Sequence, residues 1–153
     1  MKNSLKQWAT LAVFFLIVLC VGYFNSLFTP DQWYRNLNQA PWTPPGWAFG
    51  LIWSILYILI AISGWLLWRH RAPVFTQGLW WAQLVCNGLW SWLFFGLHSI
   101  LSLLDISVLW LILAALLIAT RTHYRQVFWL TMPYLIWITL ATSLNLYIVM
   151  FNA

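Results

Sequence analysis

Residues 101–120 read Leu-Ser-Leu-Leu-Asp-Ile-Ser-Val-Leu-Trp-Leu-Ile-Leu-Ala-Ala-Leu-Leu-Ile-Ala-Thr. Asp105 is the one ionisable side chain in this run, and it stands near the start. Roughly 20 apolar residues in succession match the length of a helix that crosses the hydrocarbon core of a bilayer. In lipid every backbone donor and acceptor must be satisfied within the protein, so only helices and closed barrels cross. A barrel strand alternates in polarity over about ten residues. This run is apolar throughout and rich in Leu and Ile, so it reads as a helix.

Four more segments carry the same signature. They run from about Trp8 to Phe28, Trp47 to Trp68, Gly78 to Leu97 and Val127 to Met150. The segment at 78–97 is the most polar, with Gln83, Asn87 and Ser91. The expected architecture is all-α: one integral membrane domain over residues 1–153, a bundle of five transmembrane helices. The first segment also has the outline of a signal peptide, but no small-x-small cleavage site follows it, so it is kept as a span. Composition points the same way. The chain is 63% hydrophobic and only 6% charged, against about 25% charged for soluble domains. That excludes a cytosolic enzyme. Seven Lys and Arg scattered along the sequence form no phosphate-binding stripe, so no nucleic-acid partner is expected.

Five spans place Lys2, Lys6, Arg69, Arg71, Arg121 and Arg125 on one side and Arg35 alone on the other. The positive-inside rule then sets the N-terminus in the cytoplasm and the C-terminus outside. Helical spans with this polarity suit a bacterial inner membrane. The longest connection, 29–46, reads TPDQWYRNLNQAPWTPPG. Its prolines stiffen it, and Trp33, Tyr34 and Trp42 need something to pack on. It reads as a lid over the bundle; anchoring in the headgroups is the alternative.

Fourteen Trp residues are the most unusual feature of the composition. Trp8, Trp47, Trp68, Trp80, Trp81 and Trp129 lie near span ends, as interfacial belt residues do. Trp53, Trp90 and Trp137 lie deeper. Three helical stripes mix aromatics with small or amide residues: Gly50, Trp53, Tyr57, Ala61 and Gly64; Gln83, Asn87, Trp90, Ser91 and Phe94; Pro133, Trp137, Ala141 and Asn145. Lipid-facing stripes are plain Leu, Ile and Val, so these should face inward. They fit an apolar pocket for a flat ring ligand. They also fit ordinary packing, with amides bonding helix to helix and small residues letting backbones approach. Gly78, Ala82 and Cys86 form a small-xxx-small stripe on the opposite face from Asn87. It serves either a homodimer seam or a contact within the chain.

No acid–base or nucleophilic constellation appears. Asp105 reads as a favourable acid near a helix N-terminus. His70, His98 and His123 show no metal-ligand spacing, so no metal site is expected. Cys20 and Cys86 lie inside spans and read as free thiols.

The motif Pro41-Trp42-Thr43-Pro44-Pro45-Gly46-Trp47, preceded by Trp33-Tyr34 and followed by Trp53 and Leu56-Tyr57, resembles the TspO/translocator-protein family. That family is also called tryptophan-rich sensory protein or peripheral benzodiazepine receptor. Asn87 with Trp90-Ser91 and Phe94-Phe95, then Asp105 with the run to Thr120, continue the likeness. So do Pro133-Tyr134, Trp137, Ala141-Thr142 and Leu144-Asn145. The resemblance implies a five-helix bundle, usually a homodimer, with a pocket beneath the first loop that binds porphyrins, synthetic aromatic ligands and, in animals, cholesterol. Carried over residue by residue, the pocket would use Trp53, Tyr57, Asn87, Trp90, Ser91, Phe94, Trp137 and Ala141. Trp33, Trp42 and Pro44 would belong to the lid. No covalent cofactor is implied; porphyrin would be the ligand, and membrane lipids the surroundings. Animal members carry a basic residue after the aromatic that follows the Leu-Asn motif. None follows Tyr147 here, which favours a tetrapyrrole-oriented member over a sterol-binding one.

The leading expectation is therefore a receptor, sensor or carrier for tetrapyrroles, stacked on Trp53 and Trp137 with Asn87 as a hydrogen-bonding group. Two others stand beside it. One is light-dependent protoporphyrin degradation with Trp53 and Trp137 as redox partners. The other is a structural or stress-associated membrane role.

Overall fold

The computed structural model describes residues 2–152, with side chains from Leu5 to Asn152. Six α-helices follow one another: α1 (Lys2–Ser26), α2 (Gln32–Asn36), α3 (Gly46–Arg69), α4 (Val74–Ser91), α5 (Leu101–Thr120) and α6 (Arg125–Phe151). A π-helical turn, Trp92–Gly96, extends α4. No strand occurs among the described residues. Four helical segments are long and apolar enough to cross a membrane: Leu5–Ser26, Gly46–Arg69, Leu101–Thr120 and Arg125–Phe151. The fourth α-helix falls short of that standard because it carries Gln77, Gln83 and Asn87.

The five long helices close a ring in the order α1, α3, α6, α5, α4, and α3 and α4 also touch across it. Where the ring is solid, its core is Leu67, Leu113, Leu116, Val127 and Trp80, all 2% exposed or less. The outer surface is apolar as well: Leu16, Leu104, Leu111, Ile118 and Ile136 are each more than 60% exposed. An exposed apolar belt of this extent has lipid as its natural solvent.

Connections at the end opposite the lid are short and locally determined. The third helix stops at His70. Arg71 takes a left-handed φ of 49°, and the Ala72 N–H returns to the Leu67 carbonyl at 2.9 Å. That pairing satisfies helix-end carbonyls before Pro73, which starts the next helix. Lys6, Arg69, Arg71, Arg121 and Arg125 collect at this end, and Arg35 sits at the other.

Segment 29–46 folds back over the bundle. The Trp42 indole donates to Ser143 Oγ at 3.2 Å and packs edge-on against Tyr147. Asn152 clasps the backbone of residue 38 from both sides: it accepts from Asn38 N at 2.7 Å and donates to Asn38 O at 3.1 Å. The short helix α2 within this segment has no hydrophobic periodicity to announce it. It is nucleated by Asp31, whose carboxylate accepts the Tyr34 N–H at 3.1 Å.

Two local readings need correction. Trp80, placed in the interfacial belt by its position, is 2% exposed. Its indole donates to Ile60 O and Ser63 Oγ, both at 3.1 Å. Gly64 makes room for it, since a Cβ there would lie 2.3 Å from the ring. Asp105 lies beyond the first turn of α5, which contains no acid. Its carboxyl sits beside the Cys86 thiol, and its Oδ2 is buried without a partner.

Candidate functional site

The ring is hollow at the lid end. A cavity of about 650 Å³ lies between the helices there, within the range of about 300–1,000 Å³ typical of small-molecule sites. The third helix contributes Phe49, Gly50, Trp53 and Tyr57, and α4 with its π turn contributes Asn87, Trp90, Ser91, Phe94 and Phe95. From α6 come Trp137, Ala141 and Asn145, while the lid supplies Tyr34, Arg35, Gln39 and Pro44.

The walls are aromatic and interlocked. Trp53 meets Trp137 edge to face, with ring centroids 6.4 Å apart and planes at 89°, and lies tilted against Tyr57 at 5.5 Å. Trp90 stacks on Phe94 at 5.1 Å, and Phe94 and Phe95 meet edge-on at 4.9 Å. The π turn places both Phe rings on this wall, because its wider winding advances the chain more slowly than an α-turn would.

A polar brace crosses the floor. Asn25 Nδ2 donates to Tyr57 Oη at 2.9 Å and to Asn87 Oδ1 at 3.1 Å, and Asn87 Nδ2 donates to Tyr134 Oη at 2.7 Å. Four helices (α1, α3, α4 and α6) are thereby joined. Two wall donors, Trp90 Nε1 and Trp137 Nε1, are buried without an acceptor, and the acceptor Asn25 Oδ1 is buried without a donor. Unpaired buried polar groups cost about 1–3 kcal/mol each, so these three atoms give the apolar wall a few polar points that favour a partner.

Most of the residues singled out from sequence come together here. Trp53, Tyr57, Asn87, Trp90, Ser91, Phe94, Trp137, Ala141 and Pro44 all line the cavity. Trp33 and Trp42 are absent from its wall. Trp33 stacks on His98 and abuts Phe94 from outside, and Trp42 is half exposed over α6. The stripe on α3 divides: Gly50, Trp53 and Tyr57 face the chamber, while Ala61 and Gly64 continue into the solid core. Pro133 is exposed. Of the small-residue stripe, Gly78 faces open space, whereas Cys86 packs toward α5 beside Asp105.

Sequence reasoning passed over Asn25 and Phe49, and named Tyr34 only as a lid ring in need of packing, not as part of the wall. Asn25 was the detectable one, an amide near the end of an otherwise apolar span. Outside the spans, burial raises the Tyr34 phenol above its usual range. The Tyr34 N–H holds the Asp31 carboxyl below its ordinary value. No group of three His, Cys, Asp or Glu side chains among the described residues is placed to hold a metal ion.

Comparison with known proteins places this geometry. The sequence model of the TspO/MBR family matches residues 13–151. The chain belongs to the TspO/MBR family. It is 36% identical to protein CrtK of Rhodobacter capsulatus over 143 residues, covering 88% of this chain and 87% of that one. It is 38% identical to the tryptophan-rich protein TspO of Archaeoglobus fulgidus over 163 residues, 99% of each. Similarity extends to the translocator protein of Homo sapiens, 31% identical over 124 residues, 74% of this chain and 71% of that one. The family match takes in all five walls of the chamber and the lid, so the hollow end lies wholly within the shared region.

Proposed function

We propose that this TspO/MBR-family membrane protein holds a porphyrin or another flat aromatic molecule in the chamber beneath residues 29–46, as a receptor, sensor or carrier. The observation that carries this reading is the 650 Å³ cavity walled by Trp53, Tyr57, Trp90 and Trp137. Its aromatic walls suit a planar guest, and each ring stacked on it contributes about 0.5–1.5 kcal/mol beyond area burial. The unpartnered indole donors of Trp90 and Trp137 would find acceptors in such a guest's carbonyl, carboxylate or ring-nitrogen atoms. Arg35 at the mouth suits peripheral carboxylates. The names "sensory" and "translocator" borne by relatives agree with sensing or carriage.

The same reading takes α4 as a fifth crossing. With its π turn it runs from Val74 to Gly96, roughly 34 Å at α-helical rise, against about 30 Å of hydrocarbon. Its polar side chains Gln83 and Asn87 are 1% and 2% exposed, so lipid meets only its apolar faces. The basic end would then face the cytoplasm, with the lid and C-terminus outside a bacterial inner membrane. A second copy would seat on the open face of α4 around Gly78 and Ala82, giving a homodimer.

Titrating tryptophan fluorescence with protoporphyrin tests the site. Affinity should fall about tenfold or more in Trp53→Ala and Trp137→Ala proteins, since each loses a large ring of the wall. Unchanged affinity in both would refute the assignment. A photochemical role has one observation in its favour, the contact of Trp53 with Trp137 inside the chamber. Porphyrin loss under illumination that stops in Trp53→Phe or Trp137→Phe protein would favour it, and equal bleaching without protein would dismiss it.

A further inference from the structure

Helix α2 brings Tyr34 and Arg35 to the lid side of the chamber. It has five residues and buries none of them. A helix this short does not persist on its own, so its position depends on what ties it down. One tie is Asp31, which uses both carboxylate oxygens. Its Oδ1 caps α2 through the Tyr34 N–H. Its Oδ2 lies 3.3 Å from His98 Nε2. A second tie is the His98 ring, stacked on Trp33 of α2 with centroids 4.0 Å apart and planes 17° from parallel; the remaining ties, Trp33 and Tyr34 packed edge-on against Phe94 and Phe95 and the Tyr34 carbonyl accepting from Gln39 Nε2, carry no titratable partner.

His98 is fixed in place by its own backbone. It adopts φ 49° in the turn after the π segment, between the Leu97 N–H bonded to Trp92 O and the Ser99 N–H bonded to Leu93 O. A left-handed histidine is an uncommon arrangement. Here it turns the imidazole toward α2.

We propose that His98, Asp31 and Trp33 form a pH-sensitive latch that holds α2 closed over the chamber when His98 is protonated and loosens it when the imidazole is neutral. The imidazolium makes a full ion pair with Asp31 and a cation–π contact with Trp33. The neutral ring keeps only a hydrogen bond and the stack. Asp31 stays ionised across the histidine range, because the Tyr34 N–H holds its carboxyl low. The other charged group on α2, Arg35, is engaged with Pro30 O at 3.4 Å and Gln32 Oε1 at 3.3 Å. The Tyr34 phenol, half-buried against the wall, is pushed above its usual range and stays neutral. Residues 92–97 and the first turn of α5 bring no charged side chain. The second half of the lid is clasped by Asn152 and Trp42, neither of which titrates, so the pH response is confined to α2. As a gate for a guest, the latch rests on the chamber reading above; as a motion of α2 it does not.

Hydrogen exchange of the amides in residues 31–38 separates the two, measured at about pH 5.5 and about pH 7.5, on either side of the usual histidine range. After correction for the intrinsic effect of pH, α2 should open about three- to tenfold less often at the lower pH. Asp31→Asn keeps an N-cap, and His98→Asn tolerates the left-handed backbone; each should abolish the difference. Dissociation of protoporphyrin should slow by a similar factor at low pH in the wild type and lose that dependence in both variants. A pH effect on α2 that is absent in the wild type, or that survives in both variants, would overturn the latch. Failure of protoporphyrin to bind, with the exchange result intact, would count against the chamber reading and leave the latch standing.

Discussion

The bond from Asn87 Nδ2 to Tyr134 Oη is the shortest in the floor brace, at 2.7 Å, and both residues are 2% exposed or less. Tyr134→Phe removes the acceptor and keeps the ring that packs on Trp53 at 6.0 Å. One amide hydrogen of Asn87 then loses its partner, while Asn87 Oδ1 still accepts from Asn25 at 3.1 Å. Water-soluble proteins set the cost of such an orphan at about 1–3 kcal/mol, and bonds between membrane helices average about 0.6 with a maximum near 1.7. The expected loss is about 1–2 kcal/mol. Asn87→Leu breaks two bonds of the brace and should cost about 2–3 kcal/mol. Combined, the two substitutions replace a polar pair by an apolar one, so the double variant should recover about 1 kcal/mol relative to the sum. Reversible unfolding in mixed micelles gives all three values. Additivity within about 0.3–0.5 kcal/mol would show that the two groups do not bond in the folded protein and would refute the brace. Protoporphyrin affinity in Tyr134→Phe should stay within about threefold of the wild type, because the stacking walls are untouched.

Three further outcomes follow from the geometry. Gly64→Ala should destabilise by about 2–3 kcal/mol or more, since the new Cβ would meet Trp80 at 2.3 Å and that ring is held by two hydrogen bonds; Trp80→Phe in the same chain should recover part of the loss in thermal unfolding. If the Trp137 donor serves a guest acceptor, fluorenone should bind more tightly than fluorene, by about tenfold after correction for partitioning, and Trp137→Phe should shrink that preference to about threefold or less; an unchanged ratio in fluorescence titration would exclude the role. Asp31, with its carboxyl held below the ordinary 3.8, stabilises the α2 cap above that value and loses the contribution as pH falls through its folded pKa. Exchange protection of α2 should therefore decline in strong acid in the wild type and show no such step in Asp31→Asn.

Residues facing the chamber were legible because lipid simplifies the inference. A stripe such as Trp53 and Tyr57, or Asn87, Trp90 and Phe94, has no reason to face hydrocarbon, so helical spacing alone turns it inward. What spacing leaves open is whether an inward face meets space or another side chain. Gly50 and Gly64 lie on one stripe of α3, yet one borders the cavity and the other holds Trp80 in its notch. The difference lies in what α4 brings opposite, and nothing local to α3 encodes it. Trp80 misled for a related reason: nearness to a span end predicts an interfacial ring only when no neighbouring helix covers that face. The lid was readable as stiff and aromatic. Trp33 and Trp42 do belong to it, but which lid ring faces the chamber was not readable, because α2 arises from one Asp cap and turns Tyr34 inward in place of Trp33.

The lid and the floor brace together explain why this end stays hollow. Helices packing in lipid gain nothing from hiding apolar surface from water, so close contact must come from van der Waals fit and polar bonds. At the basic end, Leu67, Leu113, Leu116 and Trp80 supply that fit. At the other end the large rings brace one another edge to face, and the Asn25–Asn87–Tyr134 chain holds α1, α4 and α6 at a set separation. Above them, Asn152 and Ser143 pin the lid to α6 while His98 pins it to the α4–α5 turn. Rings in edge contact cannot slide together without losing that contact, and the brace cannot shorten. The chamber is thus a consequence of which residues tie the helices together.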